Sequence, residues 1–178
     1  EQDVEDIFTT ILGCEKAVIA PTMMGFFDWS ALHCSNAGTF GEAYRKLEPA
    51  AIWDMDKRTS WNTHYKAIYL TNFLHENQFR FKNISQERID FWLAQADFVK
   101  ALMYFRLAQD WGEAVVAPST EDASQQAKSP INTILTEAIQ AAEAALILPT
   151  FDKLTNAQGN NINSRQYASL GTVHTLLA

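Results

Sequence analysis

The sequence predicts an all-α fold built as an array of antiparallel helix hairpins joined by long irregular loops. Apolar residues recur at steps of three and four in several segments, and no run of alternating residues requires a sheet. One segment, from Ile89 to Gly112, is apolar on two opposite sides. A helix of that kind has to be sandwiched between other helices, whereas one apolar face suffices for a helix on a core surface. We therefore expect an inner helix with neighbours on both sides.

The predicted inner helix has clear end signals and a regular alternation of large and small residues. Ser85 is a good N-cap, Ile84 before it can contact Ile89, and Gly112 is a typical C-terminal stop. The spacing Ala-x-x-x-Phe-x-x-Ala occurs in the second helix of tetratricopeptide-type repeats and predicts a tetratricopeptide-like array, an alpha-alpha superhelix. The two predicted apolar stripes comprise Phe91, Ala94, Phe98, Ala101, Phe105 and Ala108 on one side, and Trp92, Ala96, Val99, Met103 and Leu107 on the other.

The amino-terminal part of the chain predicts one helix followed by a long connection. Asp3 can cap this helix and Pro21 is expected to close it. From there to about Thr59 regular signals are lacking, apart from a short predicted helix at Phe40–Leu47. A connection this long inside a domain is usually functional. The expected apolar face of the first helix comprises Val4, Ile7, Phe8, Ile11 and Leu12.

Three further helices are expected. One runs from Ser60 to about Asn77, and a second starts at Ser129–Pro130 and ends at Pro149, after a loop with a brief extended piece, AVVAP. Asn163 with Gln166 suggests a capping box for the last helix, which has no terminator before Ala178. We expect residues 1–178 to be a single helical domain, incomplete at its C-terminus, from the amino-terminal part of a longer protein. The helix after Pro130 is expected to bury Ile131, Ile134, Leu135, Ala138, Ile139, Ala142 and Leu146.

Composition excludes several classes of protein. The net charge of −7 argues against nucleic-acid binding, which needs clustered cations, and no apolar run approaches the roughly 20 residues of a transmembrane helix. Two cysteines in unrelated contexts suggest buried thiols. His33–Cys34 is a weak nucleophile–base candidate, and Asp54-Met55-Asp56 lacks the rest of a calcium loop. We expect no enzymatic activity, no metal and no cofactor.

The candidate ligand residues lie in or beside the long first connection. A sugar-binding site needs flat aromatic faces for the pyranose rings, next to planar polar groups for the hydroxyls. Trp29, Trp53, Arg58, Trp61 and Asn62 meet that description and are the predicted glycan-binding residues. The alternative for Trp61 is a core position, since it also lies on the apolar stripe of its helix.

Four motifs follow one another along the chain. They are Trp61-x-x-x-Tyr65-x-x-Ile68-x-x-x-Asn72, the run Ala96–Leu107 leading into Asp110-Trp111-Gly112-Glu113, Ser129-Pro130 with Leu148-Pro149, and Ser164–Ala178 with its closing Leu176-Leu177-Ala178. In this order they resemble the amino-terminal portion of the SusD/RagB family of Bacteroidota outer-membrane nutrient-binding lipoproteins. Lys100 stands where that family commonly has arginine, and the segment after Gly112 lacks the usual proline.

The resemblance implies a surface-exposed lipoprotein of the cell outer membrane, with its lipid-bearing cysteine before Glu1. It also implies capture of an oligosaccharide or polysaccharide, such as a starch-like glycan, for delivery to a TonB-dependent SusC-like transporter. Two alternatives remain open: a helical scaffold that binds only proteins, and a peptide-binding receptor of the RagB type.

Overall fold

The computed structural model describes residues 1–30, 56–121, 126–156, 158–162 and 167–178, with side chains described for the same ranges except 17–30 and 56–60. These residues contain no β-strand, only isolated bridges between Ala114 and Ser129 and between Thr155 and Asn161. The prediction of an all-α fold is confirmed. The α-helices of the described ranges are α1 (Gln2–Ser30), α2 (Asp56–Asn77), α3 (Gln86–Trp111), α4 (Ile131–Ala144) and α5 (Leu170–Leu177).

Helix α3 is the inner helix of the array, as its two apolar stripes predict. It packs against α1, α2 and α4. Phe98 and Val99 point to different sides of the helix, yet their side chains are only 8% and 1% exposed. Every residue of the two predicted stripes is buried except Phe105, which is half-buried.

The predicted ends of α3 are also confirmed. The Ser85 side chain accepts a hydrogen bond from the backbone N–H of Arg88 at 3.3 Å. At the other end the N–H of Gly112 donates to the carbonyl of Ala108, and Gly112 has a φ of 75°, a conformation that favours glycine.

Helices α2 and α4 run antiparallel to α3 and form a hairpin with it on either side. The 3₁₀ turn Gln78–Arg80 leads from α2 towards α3, and a contact near the middle of both helices joins Thr71 Oγ1 to the carbonyl of Ala96 at 3.3 Å. Helix α4 starts beside the end of α3, because Ser129 pairs with Ala114, and runs back along it. Helix α5 then packs against α4 and the 3₁₀ turn Ala145–Ile147 that follows α4.

Two predicted boundaries in the amino-terminal part are wrong. Helix α1 continues through Pro21 to Ser30, and α2 begins at Asp56 rather than Ser60. Proline removes one backbone hydrogen bond, but its fixed φ is itself helical, so a long helix can continue through it. The predicted short helix at Phe40–Leu47 lies outside the described residues.

The two carboxy-terminal helices also differ from the prediction. Ile131, Ile139 and Leu146 are 44%, 50% and 36% exposed, because the face of α4 turned towards α3 is centred on Ile134 and Ala138 instead. Helix α5 starts at Leu170, not before Tyr167, and its capping box pairs Ser169 with Thr172. None of the helices in the described ranges is both long and apolar enough to cross a bilayer.

Candidate functional site

An aromatic surface lies where α2 begins and α3 ends; we define it by Trp61, Tyr65, Trp111 and Lys128. The ring centroids of Trp61 and Tyr65 are 5.1 Å apart, and those of Trp61 and Trp111 are 5.3 Å apart with the planes at 76°. All three aromatic side chains are half-buried and pack against the core with part of their surface open to solvent. Such a surface offers apolar ring area next to water, as a stacking ligand requires.

The helices fix the position of each of these rings. Trp61 and Tyr65 are four residues apart on α2 and therefore lie on the same side of that helix. Trp111 is the last residue of α3, and its ring meets the buried His64 ring edge-on at 5.4 Å. Because α2 and α3 are antiparallel, the start of one helix and the end of the other bring these residues together.

Lys128 adds a positive charge to the aromatic surface. Its side chain is exposed, and its Nζ lies 5.7 Å from the centroid of the Trp61 ring, within the range of a cation–π interaction. The neighbouring residue Ser129 is held by two backbone hydrogen bonds to Ala114, of 2.7 and 3.3 Å, which place Lys128 next to the end of α3.

The segment that follows α3 is held against α2 by Tyr65 and against α3 by Tyr104. The Tyr65 hydroxyl donates to the carbonyl of Val115 at 2.9 Å and accepts from its N–H at 2.8 Å. Burial raises the pKa of Tyr65 to about 12, although the hydrogen bond that its oxygen accepts from the Val115 N–H opposes that rise. This hydroxyl is therefore protonated at every physiological pH and keeps its donor role.

Asn72 also holds the segment that follows α3, and Lys100 in turn holds the Asn72 side chain in place. Asn72 Nδ2 donates to the carbonyls of Ala117 and Ser119 at 2.8 and 3.0 Å, and its Oδ1 accepts from Lys100 Nζ at 2.7 Å. Burial lowers the pKa of Lys100, and the carboxylate of Asp97 partly opposes that effect. Lys100, which stands where the SusD/RagB family commonly has arginine, is half-buried.

The predicted ligand residues are only partly described by the structure. Trp61 is half-buried in the aromatic surface, and Asn62 beside it is exposed. The backbones of Trp29 and Arg58 are helical, but their side chains lie outside the described residues, as does the whole of Trp53. The assignment of all five to ligand binding stays a prediction.

Three residues of the aromatic surface were not predicted as ligand residues: Tyr65, Trp111 and Lys128. Trp111 belongs to a motif used only for the family resemblance, and its position directly before the helix stop at Gly112 could have indicated an exposed ring. Lys128 lies in a polar stretch where nothing local distinguishes it, so only the folded chain shows its proximity to Trp61. Within the described ranges, no cluster of histidine, cysteine, aspartate or glutamate side chains could hold a metal ion.

A cleft of about 730 Å³ lies at the opposite end of α3. The Arg88 guanidinium at this cleft donates from Nε to Glu1 at 2.7 Å and lies 4.6 Å from the Phe91 ring centroid. Burial of Glu1 raises its pKa, but its hydrogen bonds with Arg88 and Trp92 outweigh that effect and lower it overall. The cleft mixes both signs of charge, since its lining includes Glu87, Arg88, Asp90 and Lys153.

The fold and the site together define the class of this protein: a tetratricopeptide-like helical array with an aromatic surface at one end of its α2–α3 hairpin. A family model described as "SusD-like_3: Starch-binding associating with outer membrane" matches residues 28–158, which is more than half of the chain. The chain therefore belongs to the SusD-like family. That family is described as starch-binding and associated with the outer membrane.

Solved structures agree with this assignment at the level of the fold. A SusD superfamily protein from Bacteroides thetaiotaomicron superposes with a TM-score of 0.77 at 17% identity, over 99% of this chain and 42% of that one. A laminarin-binding SusD-like protein gives a TM-score of 0.74 at 15% identity, over 99% of this chain and 39% of that one. A SusD-like carbohydrate-binding protein from Bacteroides fragilis gives 0.51 at 24% identity, over 66% and 22% of the two chains.

These relatives are much longer than the chain, which spans 22% to 42% of their length. No curated protein sequence matches it.

Proposed function

We propose that this chain contributes to glycan capture at the outer membrane and that the aromatic surface is one of its contact sites for sugar rings. The observation that carries the proposal is the pairing of Trp61 with Trp111, two half-buried indoles at 5.3 Å whose planes are nearly perpendicular. One indole can present a face to a pyranose while the other borders the same ligand. Asn62 is exposed next to Trp61 and offers an amide to the hydroxyls.

The family assignment also supports a proposal about the wider role. We propose that the captured oligosaccharide or polysaccharide is passed to a TonB-dependent SusC-like transporter, and that the protein is a surface lipoprotein. Membership of a family described as starch-binding and associated with the outer membrane supports this role. The laminarin bound by one structural neighbour supports the ligand class.

Affinity gel electrophoresis of the full-length protein, with starch and laminarin in the gel, tests the site. We expect retardation that is reduced at least fivefold by Trp61→Ala, the order of loss expected when a ring stacked on a ligand is removed. Trp29→Ala and Trp53→Ala test the other two predicted rings. Phe79→Ala is the matched control, because its ring is 73% exposed and lies at the far end of α2, after its last residue.

The outcomes separate a wrong site from a wrong function. Unchanged retardation of Trp61→Ala would remove the aromatic surface from the proposal while leaving glycan binding intact. Loss of retardation in Phe79→Ala as well would mean that the substitutions act through the fold, which thermal unfolding of each variant would detect.

A protein-binding scaffold is the second candidate. It is favoured by apolar residues that are exposed to solvent on α4 and on the 3₁₀ turn that follows it. Ile139 and Ile147 are 50% and 65% exposed. Exposed apolar side chains mark an interaction surface where they form one patch. Co-purification of a transporter without retardation by any glycan would favour this candidate. Retardation by immobilised peptides instead would favour the RagB-type peptide receptor.

A further inference from the structure

Lys128 occupies a particular place on the aromatic surface. Its ammonium lies 5.7 Å from the centroid of the Trp61 ring, which is the ring that the proposed function assigns to sugar stacking. No carboxylate of the described ranges is in ion-pair contact with it. The Lys128 side chain is exposed and unbranched, so it can move aside or reach towards a ligand.

We propose that Lys128 gives the aromatic surface a preference for glycans that carry an anionic group, either a uronic acid carboxylate or a sulfate ester. This inference rests on the proposed function and names the substrate class of the same site. A pyranose stacked on Trp61 brings its ring substituents within reach of the ammonium, because that ammonium already lies over the indole.

The two kinds of ligand differ in what they do to Lys128. A neutral sugar has to displace the ammonium from the ring and so loses a weak cation–π interaction. An anionic sugar also displaces it, but provides an oxygen that accepts a charge-assisted hydrogen bond from Nζ. The bond is solvent-exposed, so we expect a preference of about three- to tenfold.

The net charge of the chain has the same sign as the proposed anionic ligands. The net charge of −7 repels anions at long range, and salt screens that repulsion beyond roughly 8–10 Å. This chain therefore supplies no general electrostatic attraction for a polyanion. A preference for the charged glycan has to come from a local cation at the point where the sugar binds.

The experiment compares polysaccharides that differ only in charge. Homogalacturonan is paired with its methyl ester, sulfated carrageenan with desulfated carrageenan, and starch and laminarin serve as further neutral ligands for the full-length protein. We expect the charged member of a pair to bind with a dissociation constant about three- to tenfold lower. Preference for only one of the two charged members supports the inference and identifies the anionic group.

Variants at two lysines assign the preference to Lys128. Lys128→Met keeps the length of the side chain and removes the charge, so the preference should disappear and the charged and neutral members of a pair should bind with similar dissociation constants. Lys128→Arg should retain the preference. Lys153→Met is the matched control, since Lys153 is also exposed but lines the cleft at the other end of α3.

Each result decides between the two proposals. Equal or stronger binding of the neutral glycans overturns the inference and leaves the proposed function standing. A preference that survives Lys128→Met also overturns it. Absence of binding to every polysaccharide, charged or neutral, overturns the proposed function and the inference with it.

Discussion

The hydroxyl of Tyr104 bonds to both backbone polar groups of Ala117: it accepts from the N–H at 3.0 Å and donates to the carbonyl at 3.3 Å. Tyr65 makes the same pair of bonds to Val115. Residues two apart in an extended segment present their backbone groups to the same side, so the two tyrosines together serve the segment as a neighbouring strand would. This arrangement ties the chain after α3 to both helices of the hairpin and thereby positions the aromatic surface.

Tyr104→Phe is expected to lower the free energy of unfolding by about 1–3 kcal/mol, because it leaves the buried N–H of Ala117 without a partner. The Ala117 carbonyl keeps its bond from Asn72, so the loss is confined to the N–H. Urea unfolding of the variant measures the change. Tyr69→Phe, at an exposed tyrosine of α2, is the control and should alter stability by less than about 0.5 kcal/mol. Equal stability of the two variants would contradict the role of Tyr104.

Gln95→Leu is expected to destabilise the fold by about 2–4 kcal/mol. Gln95 is fully buried in α3; its Nε2 donates to the carbonyl of Ala168 at 2.8 Å, and its Oε1 accepts the N–H of Ala168 at 2.9 Å. Leucine has a similar volume but leaves both backbone groups unpaired just before α5. Chemical denaturation with Gln109→Leu, an exposed position on the same helix, provides the comparison. If the two leucine variants unfold at the same midpoint, the Gln95 bonds contribute nothing measurable.

Two glycines are expected to respond to alanine with opposite signs. Gly112 has a φ of +75°, where a side chain strains the backbone, so Gly112→Ala should cost about 1–3 kcal/mol. Gly13 lies inside α1 with no atom within 4 Å of an added Cβ, so Gly13→Ala should stabilise by about 0.5–1 kcal/mol. Melting temperatures of both variants test the pair. A fall for Gly13→Ala or a rise for Gly112→Ala would contradict the assigned conformations.

Glu15 should make stability depend on pH. Burial raises the pKa of its carboxyl to about 7, above its ordinary value of 4.5. Between these two values the folded state holds a proton that the unfolded state has lost, so raising the pH through this window destabilises the folded state. The contribution is fully present below pH 4.5 and is lost as the pH rises through about 7.

Glu15→Gln removes this titration. We expect it to raise the free energy of unfolding by about 1–3 kcal/mol at pH 8 relative to the unsubstituted protein, and by much less at pH 4.5. Urea denaturation at the two pH values measures the difference. Glu5→Gln, also on α1, serves as the control. A gain of equal size at both pH values would show that the effect is not due to ionisation of Glu15.

The sequence by itself determined the helical class, the inner position of α3 and both of its ends. These features depend on local terms: apolar residues at helical spacing, a serine that satisfies a free N–H, and a glycine that tolerates a positive φ. The motif residues Tyr65 and Asn72 could be placed on α2 from the same spacing, and the family followed from their order along the chain.

Only the tertiary structure decided what the polar members of those motifs do and which residues share a surface. Tyr65, Asn72, Gln95 and Tyr104 bond to backbone groups 13 to 73 residues away, and periodicity along one helix carries no information about such partners. The prediction that Ile131 and Ile139 are buried was likewise wrong. Both fit the helical spacing of the apolar stripe, but they lie at the edges of the face that α4 buries. Lys128 and Trp61 are likewise far apart in the sequence, and only the packing of α2 against α3 brings them together. No local pattern could therefore have predicted their proximity.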